Sequence, residues 1–183
     1  MADPSEPPRR VVLVGFMGAG KTTVAPRLAA LLGWDHLDMD PEIERRTGLT
    51  VAEIFRQRGE PAFRQEEKAL AAELVERDRL VVAAGGGAFA QPETRALLRQ
   101  NATVAWLRCD LDTVMARIPR DGSRPLAGTR ETIAALFAAR EPSYRRADWT
   151  FDAARRPPEA LAREIADAVF PGRPARERRR SER

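Results

Sequence analysis

Five apolar runs punctuate the chain, at residues 10–15, 35–38, 80–84, 102–108 and 148–152, and the longer stretches between them repeat their apolar residues at helical spacing. Short runs bounded by turn residues read as strands, and strands alternating with amphipathic helices predict βαβ units around a mostly parallel sheet. In the first helical stretch Val24, Leu28, Leu31 and Leu32 share a face, and Gly33 supplies a stop. Pro26 falls inside that helix, where it deletes a backbone hydrogen bond at a cost of about 3 kcal/mol, so a kink or a compensating contact is expected. Between the second and third strands, Thr50-Val51-Ala52-Glu53 spells a capping box and Pro61 suits the first turn of a further helix. Residues 41–78 are therefore expected to form a small helical subdomain beside the sheet. Pro92-Glu93 opens another helix, Asp110 caps one starting at Leu111, and Pro157-Pro158 precedes a last helix ending near Phe170.

The first strand runs into Gly15-Phe16-Met17-Gly18-Ala19-Gly20-Lys21-Thr22-Thr23, which fits the phosphate-binding pattern G-x-x-x-x-G-K-[ST] without a mismatch. Glycine lets the backbone close its N–H groups on phosphate oxygens, and the helix that follows points its positive end at the same place. Lys21 is expected to reach the β- and γ-phosphates and the Thr22 hydroxyl to ligate Mg²⁺. Such a pattern arises by chance in roughly 1% or fewer of chains this long, so an ordinary Gly-rich turn is a poor account of it. The spacing is not G-x-G-x-x-G, which argues against a dinucleotide.

Composition narrows the class. With 32% charged and 43% hydrophobic residues over 183 positions, the chain reads as one globular domain over 10–170 with a flexible N-terminus at 1–9. No apolar run approaches the roughly 20 residues that span a bilayer, and Met1 to Arg10 resembles no targeting peptide, so a cytoplasmic enzyme without a membrane partner is expected. Cys109 is the only cysteine and His36 the only histidine, which excludes an internal disulfide and any cysteine- or histidine-rich metal cluster. A buried structural thiol is the expectation for Cys109. The formal charge of +4 is carried wholly by residues 171–183, which hold six Arg and two Glu. That segment reads as a disordered, solvated basic tail rather than a nucleic-acid-binding surface.

In open α/β sheets ligands sit at the carboxyl ends of the strands. The third strand ends in Gly85-Gly86-Gly87, which offers no carboxylate but allows close approach of a small acceptor. Acids come instead from Leu37-Asp38-Met39-Asp40. Two positions apart on a strand, Asp38 and Asp40 are expected to share a face toward the phosphate loop, one in the Mg²⁺ shell and one on an attacking hydroxyl; alternatively Asp40 is the N-cap of a helix at Pro41. Arg64 stands three residues before Glu67, a spacing that can hold its fork, and Arg140 precedes another punctuated segment. Taken alone, each reads as a solvated surface residue.

The segments GFMGAGKTT, LDMD, GEPAFRQEE, GGG, RPLAG and REPSY occur in this order at separations that make the chain, from about Val11 to Phe170, resemble the shikimate kinases. The resemblance implies a three-layer α/β P-loop kinase with a five-stranded parallel sheet in the order 2-3-1-4-5, a substrate-binding helical insertion at 41–78 and a lid at 119–130. It implies transfer of the ATP γ-phosphoryl group to the 3-hydroxyl of shikimate, in the pathway to chorismate and aromatic amino acids, by a monomer. By position, it puts Gly18, Ala19, Gly20, Lys21, Thr22 and Thr23 on the nucleotide, Thr22 and Asp38 in the Mg²⁺ environment, and Asp40 on the acceptor's ring hydroxyls as a base. Arg64 and Arg140 then grip the acceptor carboxylate, and Gly86 and Gly87 contact the ring. Lys21 and Arg124 are charge clamps, Arg124 arriving with the lid; Arg117 matches the adenine-stacking position, and Arg155 falls in the adenine loop. Ala127 and Pro26 depart from the family pattern without touching these roles. A gluconate or nucleotide kinase of the same fold is the nearest rival, and a nucleotide kinase usually carries Lys-Gly-Thr where this chain has Lys-Thr-Thr. A GTP-binding switch is disfavoured because no N-K-x-D segment occurs.

Overall fold

A computed structural model describes residues 8–118 and 128–171. Most of the expected lid with Arg124, the basic tail from residue 172, and residues 1–7 lie outside the described residues. Five strands, β1 (Arg10–Val14), β2 (Asp35–Asp38), β3 (Leu80–Ala83), β4 (Ala102–Arg108) and β5 (Trp149–Asp152), form one sheet in the order β2-β3-β1-β4-β5. All four pairings are parallel, with Val12 opposite Val82 on one side and Val104 on the other. β1 and β3 are buried along their whole length because helices cover both faces, which is why residues 11–14 and 80–83 read as unbroken apolar runs. The edge strands β2 and β5 are more exposed and more polar, and His36 lies exposed on β2.

Helix α1 (Lys21–Leu32) starts at Gly20 and stops at Gly33, both left-handed. It runs through Pro26 as one helix, and Arg27 Nη1 donates to the Thr23 carbonyl at 2.7 Å in the same turn. Helix α2 (Met39–Thr47) and helix α3 (Val51–Leu74) make the insertion after β2. The capping box is present: Glu53 N donates to Thr50 Oγ1 at 3.2 Å, and Thr50 N donates to Glu53 Oε2 at 2.8 Å. Helix α3 is two helices joined at Gly59, whose φ of 79° and ψ of 166° break the spiral just before Pro61. Helix α4 (Pro92–Arg99) follows β3, and α5 (Leu111–Arg117) follows β4 with Asp110 accepting from Thr113 N at 2.7 Å. Helix α6 (Arg130–Tyr144) precedes β5, and α7 (Pro158–Val169) returns against α1. Among the described residues no helix is long and apolar enough to cross a membrane.

One member of the first apolar run is not apolar. Arg10 is 2% exposed, and its guanidinium donates to the carbonyls of Leu74, Val75, Arg77 and Gln100. The carbonyls of Leu74 and Val75 end α3 and that of Gln100 ends α4, where a cation completes the terminal acceptors and meets the negative end of the helix dipole. The start of β1 thus anchors the helix that carries Arg64.

Candidate active site

The loop between β1 and α1 takes its shape from three glycines at positive φ: Gly15 at 145°, Gly18 at 78° and Gly20 at 94°. A Cβ on Gly15 would stand 2.6 Å from the Leu107 carbonyl oxygen, so β4 leaves no room for any other residue. Lys21 Nζ lies across the loop, donating to Gly15 O at 2.8 Å and Phe16 O at 3.0 Å. Thr22 Oγ1 donates to Asp38 Oδ2 at 2.6 Å, which sets a hydroxyl beside a carboxylate at the mouth of the loop. Burial raises the Asp38 carboxyl above the usual range, and neighbouring Asp40 adds to it against the pull of the Thr22 hydroxyl.

The two aspartates reach this place by a route other than the expected one. β2 ends at Asp38, and Asp40 already lies in the first turn of α2, so they do not share a strand face. The N-cap is Asp38, not Asp40: its Oδ1 accepts from Asp40 N at 3.3 Å. The helix turn nonetheless brings both carboxylates to one cleft of about 510 Å³, lined also by Gly18 to Thr23, Gly86, Arg117 and Arg156. Arg117 donates from Nη1 to Ala153 O at 3.1 Å and from Nη2 to Ala154 O at 2.8 Å, tying α5 to the segment after β5. Arg155 is exposed and does not line the cleft, whereas its neighbour Arg156, paired with Glu164, does. Cys109 is buried near Arg117, and burial pushes its thiol up, away from nucleophilic chemistry.

A second, smaller pocket opens from the cleft and shares Met17, Asp40 and Gly86 with it. Its polar walls are Arg64 from α3 and Arg140 from α6. Neither is a surface arginine: the Arg64 side chain is 13% exposed and Arg140 is 7% exposed. Arg64 Nη1 donates to Glu67 Oε2 at 2.6 Å, and its Nε and Nη2 donate to Glu60 Oε1 at 3.0 and 2.5 Å. Arg140 lies over the Phe16 ring, Cζ 5.7 Å from its centroid, and Nη1 is 3.4 Å from the place of a Cβ on Gly86. The strand-end glycines therefore act by lacking side chains. Burial lowers the Arg140 pKa, and among the described residues no carboxylate forms an ion pair with it.

Three residues in or behind this pocket carry more than their sequence showed. Glu67 is wholly buried, and burial pushes its carboxyl up to about 7 against the pull of Arg64; Oε1 has no hydrogen-bond partner among the described residues. Tyr144 donates to Gly86 O and fixes the middle glycine, with burial pushing its hydroxyl up to about 12. Phe16 joins the phosphate loop to the arginine wall and packs edge-on against Phe137 at 5.3 Å. Tyr144 had a signal in the sequence, since it follows Arg140 by four residues on one helix face. Phe16 and the orphaned oxygen of Glu67 had none, because both depend on contacts between distant segments.

A phosphate loop at the end of a central parallel strand, opening into a pocket walled by two arginines and an aspartate, defines a P-loop kinase acting on a small molecule. The family model for shikimate kinase matches residues 17–170, and the chain belongs to that family. A shikimate kinase from Moorella thermoacetica is 44% identical over 88% of this chain and 95% of its own length. One from Rhodopseudomonas palustris is 43% identical, covering 88% and 81%. The structure of shikimate kinase from Acinetobacter baumannii in complex with shikimate superposes with a TM-score of 0.85 at 39% identity, over 91% of this chain and 94% of that one. The protein is an ATP-dependent kinase of this family.

Proposed function

We propose that the chain transfers the γ-phosphoryl group of Mg²⁺-bound ATP to the 3-hydroxyl of shikimate, with the cleft as donor site and the Arg64–Arg140 pocket as acceptor site. The observation that carries this reading is the convergence of Arg64 and Arg140 on Gly86 and Gly87 beside Asp40, at the edge of the phosphate-loop cleft. Two guanidiniums suit a carboxylate, and glycine backbone suits the flat of a ring pressed against it. Gly18 to Thr23 cradle the nucleotide phosphates, and Arg117 and Arg156 flank the far side of the cleft. Lys21 exchanges its loop carbonyls for phosphate oxygens and offsets the negative charge that shifts during transfer.

Asp40 receives the ring hydroxyls and takes the proton from the attacking oxygen. Thr22 and Asp38 present adjacent hard oxygens, a donor set that fits Mg²⁺ together with nucleotide oxygens. When bound, the ion neutralises charge on the phosphates. Residues 41–78 act as the acceptor subdomain, and residues 119–130 act as the lid that brings Arg124 to the phosphates and excludes water. A monomer in the cytoplasm belongs to the same reading. The test is a coupled assay of ADP release with Mg²⁺ and ATP. Shikimate is expected to stimulate release strongly, and gluconate is not; a rate that ignores shikimate refutes the assignment.

A further inference from the structure

Arg64 donates to two carboxylates of its own helix. Glu67 takes Nη1 from inside the pocket, while Oε1 of Glu60 takes both Nε and Nη2, the edge whose two parallel N–H groups suit a bidentate carboxylate. The two acids differ in kind. Glu67 is 1% exposed and built into the core, whereas the Glu60 side chain is 46% exposed and lies next to Gly59, where α3 breaks. One is a fixed support, and the other is a half-exposed carboxylate paired with Arg64.

We propose that Glu60 is an internal surrogate for the acceptor's carboxylate: it holds the Nε/Nη2 edge of Arg64 and is displaced into solvent by a carboxylate-bearing acceptor. This rests on the reading of the acceptor given above. Displacement is nearly balanced electrostatically, because one carboxylate replaces another on the same guanidinium and the departing one regains water. A neutral polyol of the same size cannot make that exchange, since it leaves either Arg64 unpaired or Glu60 in its way. Glu60 thus gives selectivity through an element that opposes the wrong ligand, at some cost in affinity for the right one.

Glu60 acts through Arg64, so it is a positioning residue, and removing its charge moves acceptor binding without a matching change for ATP. In Glu60→Gln the dissociation constant and KM for shikimate fall, by roughly two- to fivefold, the range expected for release from a partly exposed ion pair, while the KM for ATP does not follow. A second readout uses no acceptor: the rate at which phenylglyoxal labels Arg64, followed by mass spectrometry of the intact, ligand-free enzyme. Labelling is faster in Glu60→Gln than in the wild type, and Glu66→Gln, which loses the same charge from the same helix, labels at the wild-type rate.

Equal labelling of wild type and Glu60→Gln overturns the proposal, as does weaker shikimate binding in Glu60→Gln, which would make Glu60 a support of the bound state. Faster labelling combined with no shikimate binding by the wild type leaves the guarding of Arg64 standing and removes shikimate alone as the acceptor. Thermal melting of each variant beside the wild type separates these outcomes from a folding defect, since a destabilised chain would also label faster at Arg10, which is buried away from the pocket.

Discussion

The guanidinium carbon of Arg64 lies 2.6 Å from the point where a Cβ on Gly87 would begin. Gly87 has φ −96° and ψ −20°, a conformation open to any residue, so this glycine provides space and not backbone freedom. Gly87→Ala is expected to push the guanidinium off its position and to raise the KM for shikimate by about tenfold or more, the worth of a hydrogen bond to a charged group. The KM for ATP is expected to stay within about twofold, and the melting temperature to change little, because the displaced atoms end a flexible side chain. Steady-state kinetics with both substrates decide it.

Lys21 Nζ donates to the carbonyls of Gly15 and Phe16 across the loop. Lys21→Ala is expected to lower kcat at least ~100-fold, as for other groups that clamp charge in a transition state. A variant that turns over at the wild-type rate would remove Lys21 from phosphate binding.

Asp38 has two duties, accepting from Asp40 N as the cap of α2 and from the Thr22 hydroxyl at the cleft. Asparagine caps helices about as well as aspartate but carries no charge. Asp38→Asn is therefore expected to keep its melting temperature within a few degrees while raising the Mg²⁺ concentration needed for half-maximal rate by about tenfold. A magnesium titration at saturating ATP measures it.

The carboxyl of Glu67 titrates near 4.5 in an unfolded chain and is pushed up to about 7 in the folded one by burial. Between those values the folded chain holds a proton that the unfolded chain has lost, so stability is greatest below the window and declines as pH rises through it. The slope is at most about 1.4 kcal/mol per pH unit. Glu67→Gln, which keeps shape and an acceptor for Arg64, is expected to flatten the fall in melting temperature between about pH 5 and 8. An unchanged slope in the variant would assign that dependence to other groups.

Arg10 joins the carbonyls of Leu74, Val75, Arg77 and Gln100 across the bottom of the sheet. Arg10→Met fills much of the volume but strands those acceptors, so a loss on the order of 3 kcal/mol is expected in denaturant unfolding. A loss below about 1 kcal/mol would mean that water replaces the guanidinium.

The sequence alone determined the elements and the phosphate loop. Periodicity of apolar residues, glycine at positive φ, and caps such as Thr50-Glu53 and Asp110 act over a few residues, so their effect can be read without knowing what lies opposite. All five strands, the stops at Gly33 and the break before Pro61 follow from such local rules. The roles of Asp38 and Asp40 did not, because the strand stops at Asp38, two residues short of Asp40, and a shared face becomes a helix cap. The arginine pocket was legible only as a resemblance. What the tertiary structure decided is which groups lose water and what they then face. Arg64, Glu67 and Arg140 look like solvated charges one by one, and Arg10 looks like an interruption of an apolar run. Each acquires its setting from burial against segments far away in the chain, where desolvation makes a missing partner costly and a missing Cβ at Gly87 leaves room for a guanidinium.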